Sequence, residues 1–325
     1  MRALQLQRYD GPTALQAVEL DDLEPDGETV LIDVQAIGIN YPDLLITTGK
    51  YQLKPELPFV PGSEVSGTIA WAPGGSGWSE GDRVAAFVWN GGYAERVRAP
   101  LNAVLRLPDA MDFRTGAATI INYHTVHFAL SRRGRLTAGE TVLVLGAAGG
   151  IGSAAVQVGK GLGARVVAGV ASEEQAAAAR EAGADDVVVL TDGFSAQVRE
   201  LTGGGVDVVL DPLGDWLFGE ALRAIVPEGR ILVVGFAAGA IPQLGVNRLL
   251  LKNVDAVGVA WGAFLSLDPE LMARAGRDIA TMHERGAIRP LISASFDFDH
   301  IPEALETLAA GRIHGKAVVE LSPRP

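Results

Sequence analysis

The chain of 325 residues contains no cysteine. Disulfides and thiolate metal sites are therefore excluded, and a reducing cytosol suits it. It also lacks any run of Lys or Arg: 27 basic residues face 39 acidic ones, for a net charge of −12. Nucleic acid and anionic membrane surfaces are thus poor partners. No stretch reads as a membrane span, because the most apolar region, 141–171, is broken by glycines and by Lys160 and Arg165. The first residues, Met1 to Arg8, lack the apolar core of a signal peptide, so a cytoplasmic location is expected. There is no internal repeat and no low-complexity tail. The five histidines, 124, 127, 283, 300 and 314, form no ligand cluster. His124 and His127 can share a helix face, but two histidines make a weak metal site.

What is present is apolar sequence, 48% of the residues, cut by 40 glycines that mark tight turns. Residues 1–100 carry short strand-like runs, such as 29–35, 64–71 and 83–89. Turn signals separate them, among them Asp10-Gly11-Pro12, Asp26-Gly27 and Gly81-Asp82. That spacing predicts a compact antiparallel barrel. Helical periodicity begins near Arg114 and runs from 115 to 129, followed by a polar connection to 139. From Thr141 strands alternate with helices. Strands fall at 141–145, 165–170, 186–190, 207–210, 230–235 and 254–259, and helices at 150–161, 173–182, 194–201 and 215–225. This alternation predicts a doubly wound parallel sheet of six strands. A helix at 269–285, a strand near 291–296, a helix at 301–310 and a last strand at 316–321 then return to complete the first domain.

The sheet opens on Thr141–Leu145, and a glycine-rich turn leads from it into a helix. Strand, tight turn and helix form the context of a dinucleotide-binding turn, whose backbone can approach a pyrophosphate and whose free N–H groups can bind its charge. Here the spacing is Ala147-x-Gly149-x-x-Gly152, with alanine in place of the first glycine. An NAD site needs an acidic residue at the end of the second strand to accept from the ribose hydroxyl. That end is Val170-Ala171-Ser172, with no acid. Ser172 can donate to a 2′-phosphate, which favours NADPH. Ser172-Glu173-Glu174-Gln175 also matches a capping box, and the two glutamates would weaken a phosphate preference if they faced it.

The chain resembles the zinc-independent branch of the medium-chain dehydrogenase/reductase superfamily, the quinone oxidoreductase (zeta-crystallin-like) group. The resemblance rests on the order of Gly38-Ile-Asn-Tyr-Pro-Asp43, Gly49-Lys-Tyr51, Leu57-Pro-Phe-Val-Pro-Gly62, Gly81-Asp-Arg-Val84 and Gly91-Gly-Tyr-Ala-Glu95. It continues in Gly146-Ala-Ala-Gly-Gly-Ile-Gly152, Gly204-Gly-Val-Asp-Val-Val209, Val233-Val-Gly-Phe236 and Gly311-Arg-Ile-His-Gly-Lys316. It implies an α/β chain: a GroES-like β-barrel catalytic domain over 1–121, completed by 265–325, and a six-stranded Rossmann NADPH-binding domain over 122–264. Zinc-containing relatives carry a Cys near 38–43 and Gly-His-Glu near 62. This chain has Asn40 and Asp43 in the first region and Gly62-Ser63-Glu64 in the second, so no metal is expected.

By the same resemblance, Ala148, Gly149, Gly150, Ile151 and Gly152 hold the pyrophosphate. Phe236, Ala237, Ala238 and Gly239 line the adenosine–ribose side, and Val259, Ala260 and Trp261 lie near the nicotinamide. Thr125 faces either the core or the nicotinamide amide, and relatives often carry a phosphate-gripping Lys at the position of Gln175. The implied reaction passes a hydride from NADPH to a quinone or an α,β-unsaturated carbonyl, and the acceptor's oxygen then needs a hydrogen-bond donor. Asn40 and Tyr51 are the candidates, with Tyr51 also beside the cofactor. On this reading Asn40→Ala and Tyr51→Phe lower turnover and leave the fold intact. Trp89 and Trp261 either stack on a flat substrate or pack in the core. One alternative is an enoyl-thioester reductase, which needs basic contacts for a CoA or phosphopantetheine; Lys50, Lys54, Arg248 and Lys252 are the scattered candidates. Another is a non-enzymatic nucleotide-binding protein on the same fold. A homodimer is implied, joined along the sheet edge after 254–259.

Overall fold

A computed structural model describes residues 1–321. The chain divides into two compact units, Met1–Ile121 with the segment from Ile292 onward, and Asn122–Leu291. In chain order the first unit opens with β1 (Arg2–Leu6), β2 (Leu15–Glu19), β3 (Thr29–Ile39), α1 (Tyr41–Thr47), β4 (Glu64–Trp71), β5 (Arg83–Phe87), β6 (Arg96–Pro100), β7 (Val104–Arg106) and α2 (Phe113–Gly116). Helix α3 (Ile121–His127) leads into the second unit. There follow β8 (Thr141–Leu145), α4 (Gly150–Gly161), β9 (Arg165–Val170), α5 (Glu173–Glu181), β10 (Asp186–Val189), α6 (Phe194–Thr202), β11 (Val206–Asp211), α7 (Leu217–Ala224), β12 (Ile225–Val233), α8 (Asn247–Lys252), β13 (Asp255–Gly258), α9 (Trp261–Phe264) and α10 (Leu271–Glu284). The chain then returns to the first unit with β14 (Ile292–Asp297), α11 (Ile301–Ala309) and β15 (Lys316–Glu320).

The first unit is built on a seven-stranded sheet ordered β14-β15-β3-β4-β5-β7, with β6 pairing β3. β3 is paired along its length by β4, β6 and β15, and eight of its eleven residues are buried, all of them apolar or glycine. Leu4, Ile32, Ile37, Val65, Val84 and Tyr93 form the barrel core, and Ile301, Leu305 and Val319 from the returning segment complete it. The second unit holds six parallel strands in the order β10-β9-β8-β11-β12-β13. Central strands β8, β9 and β11 are buried on both faces, as an all-parallel sheet covered by helices requires.

Two sequence expectations are corrected. The return to the first unit comes at Ile292 rather than 265, so α9 and α10 belong with the parallel sheet. The helical stretch read over 115–129 is broken into α2 and α3, and a π-helix over Phe128–Arg133 follows where a polar connection was expected. Asp112 accepts from the Thr115 N–H at 2.7 Å and starts α2 as a separate short element. No helix among the described residues is long and apolar enough to cross a membrane.

Candidate active site: a nucleotide turn and a buried ion cluster

In the second unit, β8 ends at Leu145 and Gly146 turns the chain at φ 65°. The conformational demand thus falls on Gly146, and the position filled by Ala147 needs no glycine. Ala147 is fully buried and donates its N–H to the Gly169 carbonyl at 2.9 Å, tying the turn to β9. Gly152 has no such freedom, since a Cβ there would collide with the Gly146 carbonyl oxygen. Its absence lets α4 pack onto the turn. The first i−4 bond of α4 runs from the Ser153 N–H to the Gly149 carbonyl, at 2.8 Å. The N–H groups of Gly150, Ile151 and Gly152 precede it, and no side chain caps them. Gly149, Gly150 and Ile151 are only half-buried. A backbone cradle with free donors at the positive end of a twelve-residue helix suits a pyrophosphate.

The other expected cofactor residues lie after the carboxyl ends of neighbouring parallel strands. Ser172, after β9, is exposed and begins α5 in an extended conformation. Its side chain makes no capping bond, and Gln175 reaches the Ala171 N–H at 3.1 Å instead, so the capping box expected here does not form. The hydroxyl is left clear of a capping role, while Gln175 is turned back on the strand end. Exposed Glu173 and Glu174 follow directly. After β12, Phe236 is 39% exposed and starts a surface stretch through Ala237, Ala238 and Gly239, held by N–H bonds from Ala237 to Pro212 O and from Ala238 to Leu213 O. After β13, Val259 is buried and bonded to the Val233 carbonyl, and Ala260 is exposed. The Trp261 indole is buried, its ring 5.7 Å from that of His124; it packs in the core and offers no stacking face. On α3, Thr125 is half-buried between the fully buried His124 and Val126.

The first unit holds a cluster of charges that sequence reasoning did not assemble. Register brings it together. β4 pairs with β3 so that Val65 faces Ile37, which sets Glu64 beside Gly38; β15 pairs so that Ala317 faces Ile39, which sets Lys316 beside Asn40. Gly38 makes the room: a Cβ there would collide with the Ala117 carbonyl and lie 2.5 Å from Glu64 Oε2. Lys316 Nζ donates to Glu64 Oε2 at 2.5 Å and to Asn40 Oδ1 at 2.6 Å. Asn40 Nδ2 donates to Glu64 Oε2 and to the Gly38 carbonyl, both at 3.0 Å. Glu64 Oε1 accepts from the Ile121 N–H at 2.9 Å, at the start of α3. Glu64 is fully buried, and Lys316 and Asn40 are each 3% exposed.

This arrangement changes the role of Asn40. Both of its amide hydrogens are spent on Glu64 and Gly38, and its oxygen accepts from Lys316. It has no donor left for a substrate oxygen and serves as framework. Beside it, fully buried Asp43 accepts from the Ser63 hydroxyl at 2.6 Å and from the Asn40 N–H at 3.0 Å. Burial pushes its carboxyl up to about 6, against the lowering effects of Ser63 and Lys316. Tyr51 is half-buried, and desolvation raises its phenol, with the Asp43 charge adding to the rise. Tyr9 holds the segment after Tyr51 by a hydroxyl bond to the Pro55 carbonyl, and Lys54 lies 4.8 Å above the Tyr9 ring. Trp89 is 45% exposed and meets Phe87 edge-on.

Comparison with known proteins agrees with both halves. Residues 26–109 match the model of the alcohol dehydrogenase GroES-like domain, and residues 150–275 match that of the zinc-binding dehydrogenase. Over 295 residues the chain is 37% identical to the quinone oxidoreductase-like protein 2 homolog of Nematostella vectensis, covering 89% of this chain and 81% of that one. A probable oxidoreductase from Mycobacterium abscessus superposes with a TM-score of 0.91 at 42% identity, over 99% of each chain. The Escherichia coli quinone oxidoreductase solved with NADPH gives 0.91 at 26% identity, over 99% of this chain and all of that one. With this fold, a glycine turn at the carboxyl edge of its parallel sheet and relatives along its full length, the chain belongs to the quinone oxidoreductase family of medium-chain dehydrogenases/reductases, and is an oxidoreductase.

Proposed function

We propose that the protein is an NADPH-dependent reductase that transfers a hydride to a quinone or an α,β-unsaturated carbonyl without zinc. The observation that carries this reading is the β8–α4 turn, with its uncapped donors at Gly150, Ile151 and Gly152 and its close contact at Gly152. NADPH, when bound, supplies the hydride. The chain's residues bind and orient it. Ala148 to Gly152 hold the pyrophosphate. The Ser172 hydroxyl donates to the 2′-phosphate at a strand end without a carboxylate. Phe236 to Gly239 flank the adenosine ribose, and Val259, Ala260 and the backbone at Trp261 border the nicotinamide together with Thr125. Tyr51 is the donor to the acceptor's oxygen; its raised phenol keeps the proton in place at neutral pH. A quinone can complete its reduction with a proton from water.

Two observations narrow the reading. Where zinc-containing relatives place ligands, the donor set here is Asn40, Ser63, Glu64 and Asp43, with the Lys316 ammonium already paired to two of them. Neither cysteine nor histidine is among them, so the set does not fit zinc. Of the basic residues considered for an enoyl-thioester, Lys54 lies over Tyr9, and Lys252 donates to the carbonyls of Leu222, Arg223 and Ile225. Of the four, Lys252 is thus committed to backbone carbonyls, while Lys50, Lys54 and Arg248 stand exposed. We also propose a homodimer. The β13 edge is largely exposed, and Val246, Leu250 and Leu251 beside it are about three-quarters exposed (76%, 76% and 77%). Such an edge calls for cover. Oxidation of NADPH in the presence of a quinone, a small enone or an enoyl-CoA tests the function, and the mass in solution tests the dimer.

A further inference from the structure

The polar core of the second unit contains one side chain that ties three segments together. Gln157 is 5% exposed and sits on α4, where every residue from Gly152 to Gly159 is buried. Its Oε1 accepts from the Tyr123 hydroxyl at 2.7 Å and from the Arg289 N–H at 2.9 Å, and its Nε2 donates to the Arg289 carbonyl at 2.7 Å. Arg289 lies three residues before the chain leaves this unit, and Tyr123 lies two residues after it enters. Tyr123 is itself 2% exposed, and burial holds its phenol protonated, so it is a permanent donor.

The geometry matters for Thr125. α3 has only seven residues and is followed at once by a π-helix, so its own hydrogen-bond ladder fixes it weakly. Its orientation depends on outside ties. Tyr123 is one such tie, two residues before Thr125, beside that of His127 to Asp278 at 3.2 Å, and it reaches the same α4 whose first turn forms the cofactor cradle.

We propose that Gln157, acting through Tyr123, is a positioning residue: it sets α3 against the cofactor helix so that the Thr125 hydroxyl meets the nicotinamide end of NADPH. This inference rests on the proposed placement of Thr125. Buried polar networks of this kind act as a unit, and removing one member releases the others. Gln157 thus aligns the nicotinamide while touching neither cofactor nor substrate.

The test compares NADPH with 2′,5′-ADP, which carries the adenosine end and no nicotinamide. Tyr123→Phe deletes one hydrogen bond and keeps the ring, so the core stays filled. It is expected to weaken NADPH by about 3- to 10-fold, the loss of one buried hydrogen bond, and to leave 2′,5′-ADP unchanged. Gln157→Met should produce the same selective loss, and the double variant should bind NADPH no more weakly than Gln157→Met alone. Equal loss for both ligands, or no loss for NADPH, overturns the positioning role, as does additivity in the double variant. Thr125→Val separates this from the underlying reading. If it leaves NADPH binding unchanged, the Thr125 contact is wrong. If it weakens NADPH while Tyr123→Phe does not, only the positioning role fails.

Discussion

Lys316→Met probes the buried ion cluster of the first unit directly. In the wild type, the Lys316 side chain is 4% exposed and that of Glu64 is fully buried, 2.5 Å away. Methionine fills the aliphatic volume of the lysine but removes the ammonium bonded to Glu64. The carboxylate is then left with Asn40 Nδ2 and the Ile121 N–H. Breaking a buried pair from one side costs roughly 3–5 kcal/mol. For a unit of this size that corresponds to a fall in melting temperature of roughly 6–20 °C. Asn40 loses its contact with Lys316 at the same time, so α1 loosens along with the strand ends. Replacing both partners, as in Glu64→Gln/Lys316→Met, removes the uncompensated charge and should recover part of the loss, because the amide oxygen can still accept from the Ile121 N–H while its NH2 takes the place of the oxygen that faced Asn40 and Lys316. Thermal and urea unfolding of the wild type, both single variants and the double variant form the assay. A Lys316→Met protein within about 1 kcal/mol of the wild type would refute the reasoning, since that is the range of an exposed pair. A double variant as unstable as the sum of the singles would refute it equally.

Other outcomes follow from the same geometry. Asn40→Ala removes hydrogen bonds to Lys316, Glu64 and Gly38 and is expected to cost about 2–3 kcal/mol of stability, whereas Tyr51→Phe should leave stability near wild type and lower kcat; unfolding and steady-state kinetics on the same samples separate the two. Gly152→Ala forces a Cβ against the Gly146 carbonyl and should weaken NADPH at least about tenfold in a fluorescence titration, roughly 1.4 kcal/mol or more. Glu140 is paired with Arg230 by bonds of 2.6 and 2.8 Å, which holds its carboxyl down at about 2. A depressed carboxylate stabilises the folded state above its ordinary pKa, and that contribution is lost as pH falls toward about 2. The wild type should therefore lose its advantage over Glu140→Gln, roughly 2 kcal/mol at neutral pH, as acid unfolding is followed from pH 5 downward.

How much of this was legible beforehand depends on which level of structure carries the information. The parallel sheet was readable because each of its strands is a short apolar run that ends in a turn. The Gly146–Gly152 turn was readable as a cofactor cradle, yet the residue that needs positive φ is Gly146, and the alanine at 147 is a buried turn residue. The boundary near 292 was not readable, because a helix over 271–284 has the same periodicity whichever unit it packs on. Capping chemistry misled at Ser172, which leaves unused the cap its sequence offers. The ion cluster needed strand register. Lys316 stands 252 residues from Glu64, and in sequence it reads as an ordinary surface charge before an apolar strand. Gln157 was equally hidden, though a long amide among the small and apolar residues of the buried stretch of α4 was a usable signal.

On the proposed reading, hydride passes from NADPH to a small carbonyl acceptor without zinc. The most direct measurement follows NADPH oxidation by purified protein treated with a chelator, with a quinone, a small enone, an enoyl-CoA and no acceptor in parallel. Turnover with the quinone or the enone, undiminished by the chelator and much slower with the enoyl-CoA, is the expected result. NADPH binding without oxidation by any acceptor, or turnover that requires added zinc, would contradict it.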